Sequence, residues 1–78
     1  MKQSNSHIVK SGRRVATLLA ARGMSQAELA GQLGQSTSSI SRKISGDLKF
    51  SGTDFLAMSE LFGVSVDTLM GLKPLEVA

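Results

Sequence analysis

Between its glycines this chain repeats its apolar residues at intervals of three and four rather than two, a period that fits helices and not strands. The breaks at Gly23, Gly34, Gly46, Gly52, Gly63 and Gly71 make those helices short. The first is expected to end at Arg22, with Val15, Leu18, Leu19 and Arg22 at i, i+3, i+4 and i+7. Its start falls anywhere from Ser6 to Ser11, because Gly12 blurs the boundary. The second opens on Ser25-Gln26-Ala27-Glu28, a capping box in which the serine hydroxyl and the glutamate carboxylate each satisfy a free amide. Leu29 and Leu33 form its buried stripe and Gly34 stops it.

The third segment, Ser36 to Ser45, is rich in hydroxyls: Ser36, Thr37, Ser38, Ser39 and Ser41 surround a lone pair of isoleucines, Ile40 and Ile44. A stretch of serines this short reads as a linker, but isoleucines four apart put a thin apolar edge on a helix whose remaining face is polar. Ser51 or Thr53 caps a fourth helix carrying Phe55, Leu56, Leu61 and Phe62. A short fifth follows Ser65 with Val66, Leu69 and Met70, before Gly71 and Pro74 release the tail. The fold class expected is all-α, a compact bundle of about five short helices.

Size and composition limit what such a bundle can be. At 78 residues there is room for one domain. Without cysteine, neither a disulfide framework nor a Cys/His metal set can be drawn, so a hydrophobic core must supply the stability. A domain this small buries only ~60% of its unfolded surface, which makes a dimer natural. No apolar run approaches the ~18 residues of a membrane span, and Met1 to Lys10 lacks the hydrophobic centre of a secretory signal. The expectation is a cytoplasmic protein.

The net charge of +3 conceals an asymmetry. Up to Lys49, eight basic residues (Lys2, Lys10, Arg13, Arg14, Arg22, Arg42, Lys43, Lys49) face two acidic ones (Glu28, Asp47). From Phe50 onward Lys73 faces Asp54, Glu60, Asp67 and Glu76. A basic half suits an anionic partner, although a solvated basic surface balanced by an acidic one gives the same tally.

Two short helices joined by a tight glycine turn, the second with a polar outer face, make a helix-turn-helix. The crossing needs a small residue, and Ala30 stands four before Gly34. Ile40 falls six after that glycine, where the second helix returns to the core. Taken together, Gly23-Met24-Ser25-Gln26-Ala27-Glu28-Leu29-Ala30, Leu33-Gly34, Ser38-Ser39-Ile40-Ser41-Arg42, Gly46, and Leu61-Phe62-Gly63-Val64-Ser65-Val66-Asp67-Thr68-Leu69-Met70-Gly71 resemble the lambda-repressor-like (XRE, Cro/repressor) helix-turn-helix domains of phage and bacterial regulators. The resemblance runs from about Ser11 to Gly71, leaving residues 1–10 as a partly flexible arm. Residues 72–78 form a tail, a dimer contact or the start of a linker to a further domain. The chain departs from the pattern at four places. Relatives often carry aliphatic residues where Gln35 and Lys43 stand, the anchor shifts to Ile44, and a buried Arg and Glu of many relatives align with Leu19 and Ile44.

The resemblance implies a sequence-specific regulator that binds double-stranded DNA, with helix 3 in the major groove and helix 2 across the backbone. It further implies a homodimer on a palindromic operator. No acidic residue lies between Leu29 and Gly46, so nothing on that surface repels phosphate. Base readout is assigned to Thr37, Ser38 and Arg42, with Gln26, Gln35, Ser36 and Ser41 beside them. Arg42 alone among them can take guanine in a bidentate pair. Phosphate contacts are assigned to Ser25 and Gln26 at a helix N-terminus and to Lys43, Lys49, Arg13, Arg14 and Lys10. Val66, Leu69, Met70 and Leu72, followed by Leu75 and Val77, are the expected dimer contact, with core and tail as the plainer alternative.

An enzyme is not expected. His7 is the only histidine and has no partner at a useful spacing, and no phosphate-binding glycine loop, metal set or nucleophile elbow is present. No cofactor and no small-molecule ligand are expected. The rival reading keeps the fold and changes the circuit: an antitoxin whose main partner is a toxin, or a restriction-modification controller protein.

Overall fold

The computed structural model describes the backbone of residues 6–75 and the side chains of residues 10–75. Five helices follow in order: α1 (Ser6–Arg22), α2 (Gln26–Leu33), α3 (Thr37–Ser45), α4 (Gly52–Phe62) and α5 (Val66–Leu69). Each of the last four starts behind a serine in extended conformation, Ser25, Ser36, Ser51 or Ser65, whose hydroxyl accepts the amide three residues on. Each such cap stabilises its helix by about 1 kcal/mol. Ser51, not Thr53, caps α4, and Asp54 completes the box by accepting the Ser51 amide at 2.9 Å. The chain reverses between α2 and α3 at Gly34, whose φ of 68° lies in the left-handed region where a side chain is disfavoured.

The core is built from one stripe of each helix. Val15, Leu18 and Leu19 of α1 meet Leu29 and Ala30 of α2, Ile40 of α3, Met58 and Phe62 of α4, and Leu69 of α5, with Phe50 closing the loop before α4. Ala30 is buried at the α2–α3 crossing, as its small size requires. α1 and α3 come closer still. A β-carbon on Gly12 would lie 2.1 Å from the Ile44 carbonyl oxygen, so only glycine lets the two backbones meet there.

α1 begins at Ser6, the early end of the expected range Ser6 to Ser11, so the helix takes in residues 6–10 of the segment assigned to the arm, and residues 1–5 lie outside the described part of the chain. Leu56 is 64% exposed, whereas Met58 is fully buried. With Ser51 as cap, α4 turns positions 54, 58 and 62 inward, and Leu56 falls on the far side. Leu69, expected at a dimer contact, is fully buried in the core, because α5 is a single turn and has no other side chain to pin it down except Thr68. Val66 and Met70 are half-buried and Leu72 is exposed. Val77 and Glu76 lie outside the described residues, as does the side chain of His7.

Two arginines of α1 close the ends of later elements. Arg22 donates to the Phe62 carbonyl at the end of α4 and lies 5.7 Å from the centre of the Phe62 ring. Arg14 donates to the carbonyls of Thr68 at 3.2 Å and Lys73 at 2.7 Å, fastening α5 and the tail to α1. Arg22 thus serves a carbonyl at the C-terminal end of α4, while Arg14 adds a second donor to the Thr68 carbonyl, which already accepts the Gly71 amide, and holds the Lys73 carbonyl of the tail.

Gly12→Ala is expected to destabilise the protein by about 1–3 kcal/mol, since helix α1 must move off α3 to admit one methyl group. Denaturant unfolding measures this, and an unchanged midpoint would contradict the close approach. Leu69→Glu is expected to unfold the chain, because it buries an unpaired carboxylate. A folded monomer in sedimentation would instead return Leu69 to an interface.

Candidate nucleic-acid interface

The outer face of α3 is assembled by two opposed requirements. Ile40 is fully buried and Ile44 packs against the core, which fixes one edge. Ser38 and Arg42 then fall on the opposite side, and Thr37 at the start of the helix and Ser41 at its flank are exposed as well. None of these four side chains has a hydrogen-bond partner among the described residues, so their donors and acceptors are open to a ligand. Ser36 is more restricted, because its hydroxyl accepts the Ser39 amide at 3.1 Å as the N-cap.

At the start of α2, the Ser25 amide donates to the Glu28 carboxylate at 2.8 Å and its hydroxyl accepts the Glu28 amide at 3.0 Å. The box therefore consumes the Ser25 and Glu28 amides, leaving the Ser25 O–H and the Gln26 and Ala27 amides for an anion. Gln26 follows, half-buried, at the first helical position. Arg13 and Lys49 are exposed.

Four of the basic or polar residues assigned to DNA stand otherwise. Arg14 is engaged with Thr68 and Lys73, as described above. Lys10 is exposed, but its stem lies against Gly71, where a β-carbon would come 2.4 Å from Lys10 Cδ, so it borders α5. Gln35 and Lys43 turn inward altogether. Lys43 Nζ donates to Asp54 Oδ2 at 2.7 Å and to Gln35 Oε1 at 2.8 Å, and Gln35 Nε2 donates to Asp54 Oδ1 at 2.6 Å. The Lys43 and Asp54 side chains are only 14% and 6% exposed. Gln35 and Lys43, expected at base edges and phosphates, instead bond to each other and to Asp54 inside the protein, because a charge turned toward the core needs a partner.

Asp54, in the first turn of α4, is the acceptor that ties these residues together. Its burial acts to raise the carboxyl. The Lys43 hydrogen bond, the Ser51 amide, the Gln35 amide and the Lys43 charge together outweigh that and hold it below the ordinary carboxylate value. The signal available in the sequence was Ser51-Gly52-Thr53-Asp54, a second capping box, standing beside two polar residues at positions that relatives fill with aliphatics. Leu19 is buried and Ile44 belongs to the core, so the apolar residues at the relatives' ion-pair positions are part of the packing.

With helices α2 and α3 in this arrangement, the helix-turn-helix family model matches residues 15–69, well over half of the 78-residue chain. The chain is a lambda-repressor-like (XRE-type) helix-turn-helix protein. None of the curated proteins or solved structures compared with it matches. Membership makes it a DNA-binding regulator of the XRE type, a family of regulatory domains rather than of enzymes. No helix among the described residues is long and apolar enough to cross a membrane.

The lowered Asp54 carboxyl carries a pH consequence for this XRE-type domain. A group whose folded value lies below its unfolded value adds stability above the unfolded value and loses it as pH falls through the folded one. Thermal midpoints are therefore expected to hold steady through neutral pH and to fall from about pH 4 downward. Asp54→Asn is expected to flatten that acid limb, and an equally steep limb in the variant would assign it to other carboxylates.

Proposed function

We propose that this protein is a sequence-specific transcriptional regulator of the Cro/repressor type that binds double-stranded DNA as a homodimer, with α3 in the major groove. The observation that carries this reading is the unpartnered outer face of α3: Thr37, Ser38, Ser41 and Arg42 are exposed on a stretch with no acidic residue from Leu29 to Gly46. Hydroxyls this short reach base edges only on close approach, so Arg42 supplies the strongest direct discrimination and the serines work with water and groove shape. Gln26 and the first turn of α2 take the flanking phosphate and the outermost base pair, with Ser25 adding its hydroxyl. Arg13 and Lys49 add phosphate contacts, and Lys10 stands with them at the margin. Residues 11–71 are the DNA-binding unit in this reading.

One such helix reads only a few base pairs, and two of them ~34 Å apart read an inverted repeat. With Leu69 in the core, the dimer contact falls to Val66, Met70 and Leu72, of which Leu72 is 60% exposed at the start of the 72–78 tail. A regulator of this kind works where its DNA is, in the cytoplasm.

The experiment is selection of bound sequences from a randomised duplex pool, followed by titration of the winner and a scrambled duplex at several salt concentrations. An enriched inverted repeat with half-sites one turn apart supports the reading. If nothing is enriched and both duplexes bind with the same steep salt slope, the fold serves a protein partner, as in an antitoxin. Arg42→Ala is expected to weaken operator binding by about 1–3 kcal/mol and scrambled binding by less. Equal losses on both would reduce Arg42 to a phosphate contact.

A further inference from the structure

α3 is poorly anchored by apolar burial alone. It has nine residues, and only Ile40 is fully buried, with Ile44 a half-buried second point. Two isoleucines four apart lie along one line of the helix, so they resist its departure from the core far better than its rotation about that line. Something else has to fix which of its polar residues point outward.

The Gln35–Lys43–Asp54 ring meets that need. Gln35 immediately precedes the N-cap Ser36, and Lys43 sits in the last turn, so the two bracket the helix. Both reach one carboxylate, Gln35 to Oδ1 at 2.6 Å and Lys43 to Oδ2 at 2.7 Å, and the 2.8 Å bond between them closes the triangle. The carboxylate is itself immobile: Oδ2 accepts the Ser51 amide at 2.9 Å, and the Asp54 amide donates to the Ser51 hydroxyl at 3.0 Å. Both ends of α3 are thus tied to the first turn of α4 through directional bonds, which resist rotation as apolar contact does not.

We infer that Lys43, Gln35 and Asp54 are positioning residues that set the rotation of α3, and that they govern sequence discrimination without touching DNA. This rests on the reading of α3 as the helix that meets bases. Its physical basis is the sensitivity of bidentate base contacts to geometry: a small rotation misdirects Arg42 and Thr37 but leaves exposed phosphate contacts nearly as they were.

The test compares the full-length protein with Lys43→Met, Asp54→Asn, the double variant and Gln35→Leu. Gln35→Leu keeps the Lys43–Asp54 ion pair and places an aliphatic residue where relatives often carry one, so it is the variant expected to stay folded if the others do not. Amide spectra of the free proteins come first. Shifts concentrated in residues 35–46 and 51–54, with α1 and α5 unmoved, are expected, and spectra unchanged over 37–42 would overturn the inference before any DNA is added.

Binding to the selected operator and to a scrambled duplex then follows. Each single variant is expected to lose about tenfold on the operator with little change on the scrambled duplex, and to keep the salt slope. The double variant is expected to lose no more than either Lys43→Met or Asp54→Asn alone, as members of one unit do. Preserved discrimination in folded variants would make the ring a stability element only. Equal losses on both duplexes with a salt slope shallower by about 1 would make Lys43 a phosphate contact. A wild-type protein that prefers no duplex would defeat the DNA reading instead, leaving the rotation of α3 to be judged on the spectra.

Discussion

A nine-residue helix that buries a single side chain gives very little of itself to the core, and that constraint shapes the rest of this protein. Of the nine residues of α3, Ile40 alone is fully buried. Burying one isoleucine contributes about 1.5–3 kcal/mol, which attaches a helix without defining its orientation. The remainder comes from neighbours that approach α3 closely. α2 packs across Ala30, α1 brings its backbone against the Ile44 carbonyl at Gly12, and Asp54 at the start of α4 binds both ends through Gln35 and Lys43. The chain places its smallest residues where helices must meet and its directional polar bonds where apolar contact would leave freedom.

The polar ring also explains how four departures from the family pattern fit together. Leu19 and Ile44, at positions where relatives often pair charges, join the apolar core. Gln35 and Lys43, at positions where relatives are often aliphatic, make the buried polar contact instead, with Asp54 as acceptor. A buried ion pair adds little net stability over a hydrophobic contact of similar size, so moving it need not change how stably the domain folds. What it changes is which elements are tied together. Here the turn, the end of α3 and the cap of α4 are joined through one carboxylate.

Much of this was legible in the residue order. The period of three and four, the capping box at Ser25 to Glu28 and the glycine after each helix located the helices, because caps and left-handed turns depend on local chemistry. Ile40 and Ala30 were legible as core for the same reason of spacing. Leu56, Met58 and Leu69 were not, since a short apolar-rich helix offers several candidate faces and tertiary packing selects one. Gly12 read as a blurred helix start, whereas its reason is the carbonyl of a residue thirty-two positions later. Gln35 and Lys43 read as DNA contacts because polar residues in a basic segment are counted outward by default. Their partner, Asp54, falls in the other half of the charge tally, beyond Phe50.

That default has a consequence for the electrostatics of the domain. Counted along the sequence, the first half of the chain offers eight basic residues to an anionic partner. Counted in the fold, Arg14 and Arg22 serve carbonyls at the ends of α5 and α4, and Lys43 serves Asp54. Among the described residues, the exposed cations on this half with no such partner are Arg13, Arg42 and Lys49, with Lys10 exposed beside the tail. Each phosphate neutralised steepens the salt dependence of binding by about 0.9 in log–log slope. On the proposed reading, fewer free cations mean that a smaller share of the affinity for any duplex is nonspecific attraction, and a larger share comes from the contacts assigned to α3. On that reading, a domain with so little excess charge to hold it on arbitrary DNA depends more heavily on the orientation of that one helix, and Lys43, alone among the three internally engaged cations, ties that helix to the start of α4.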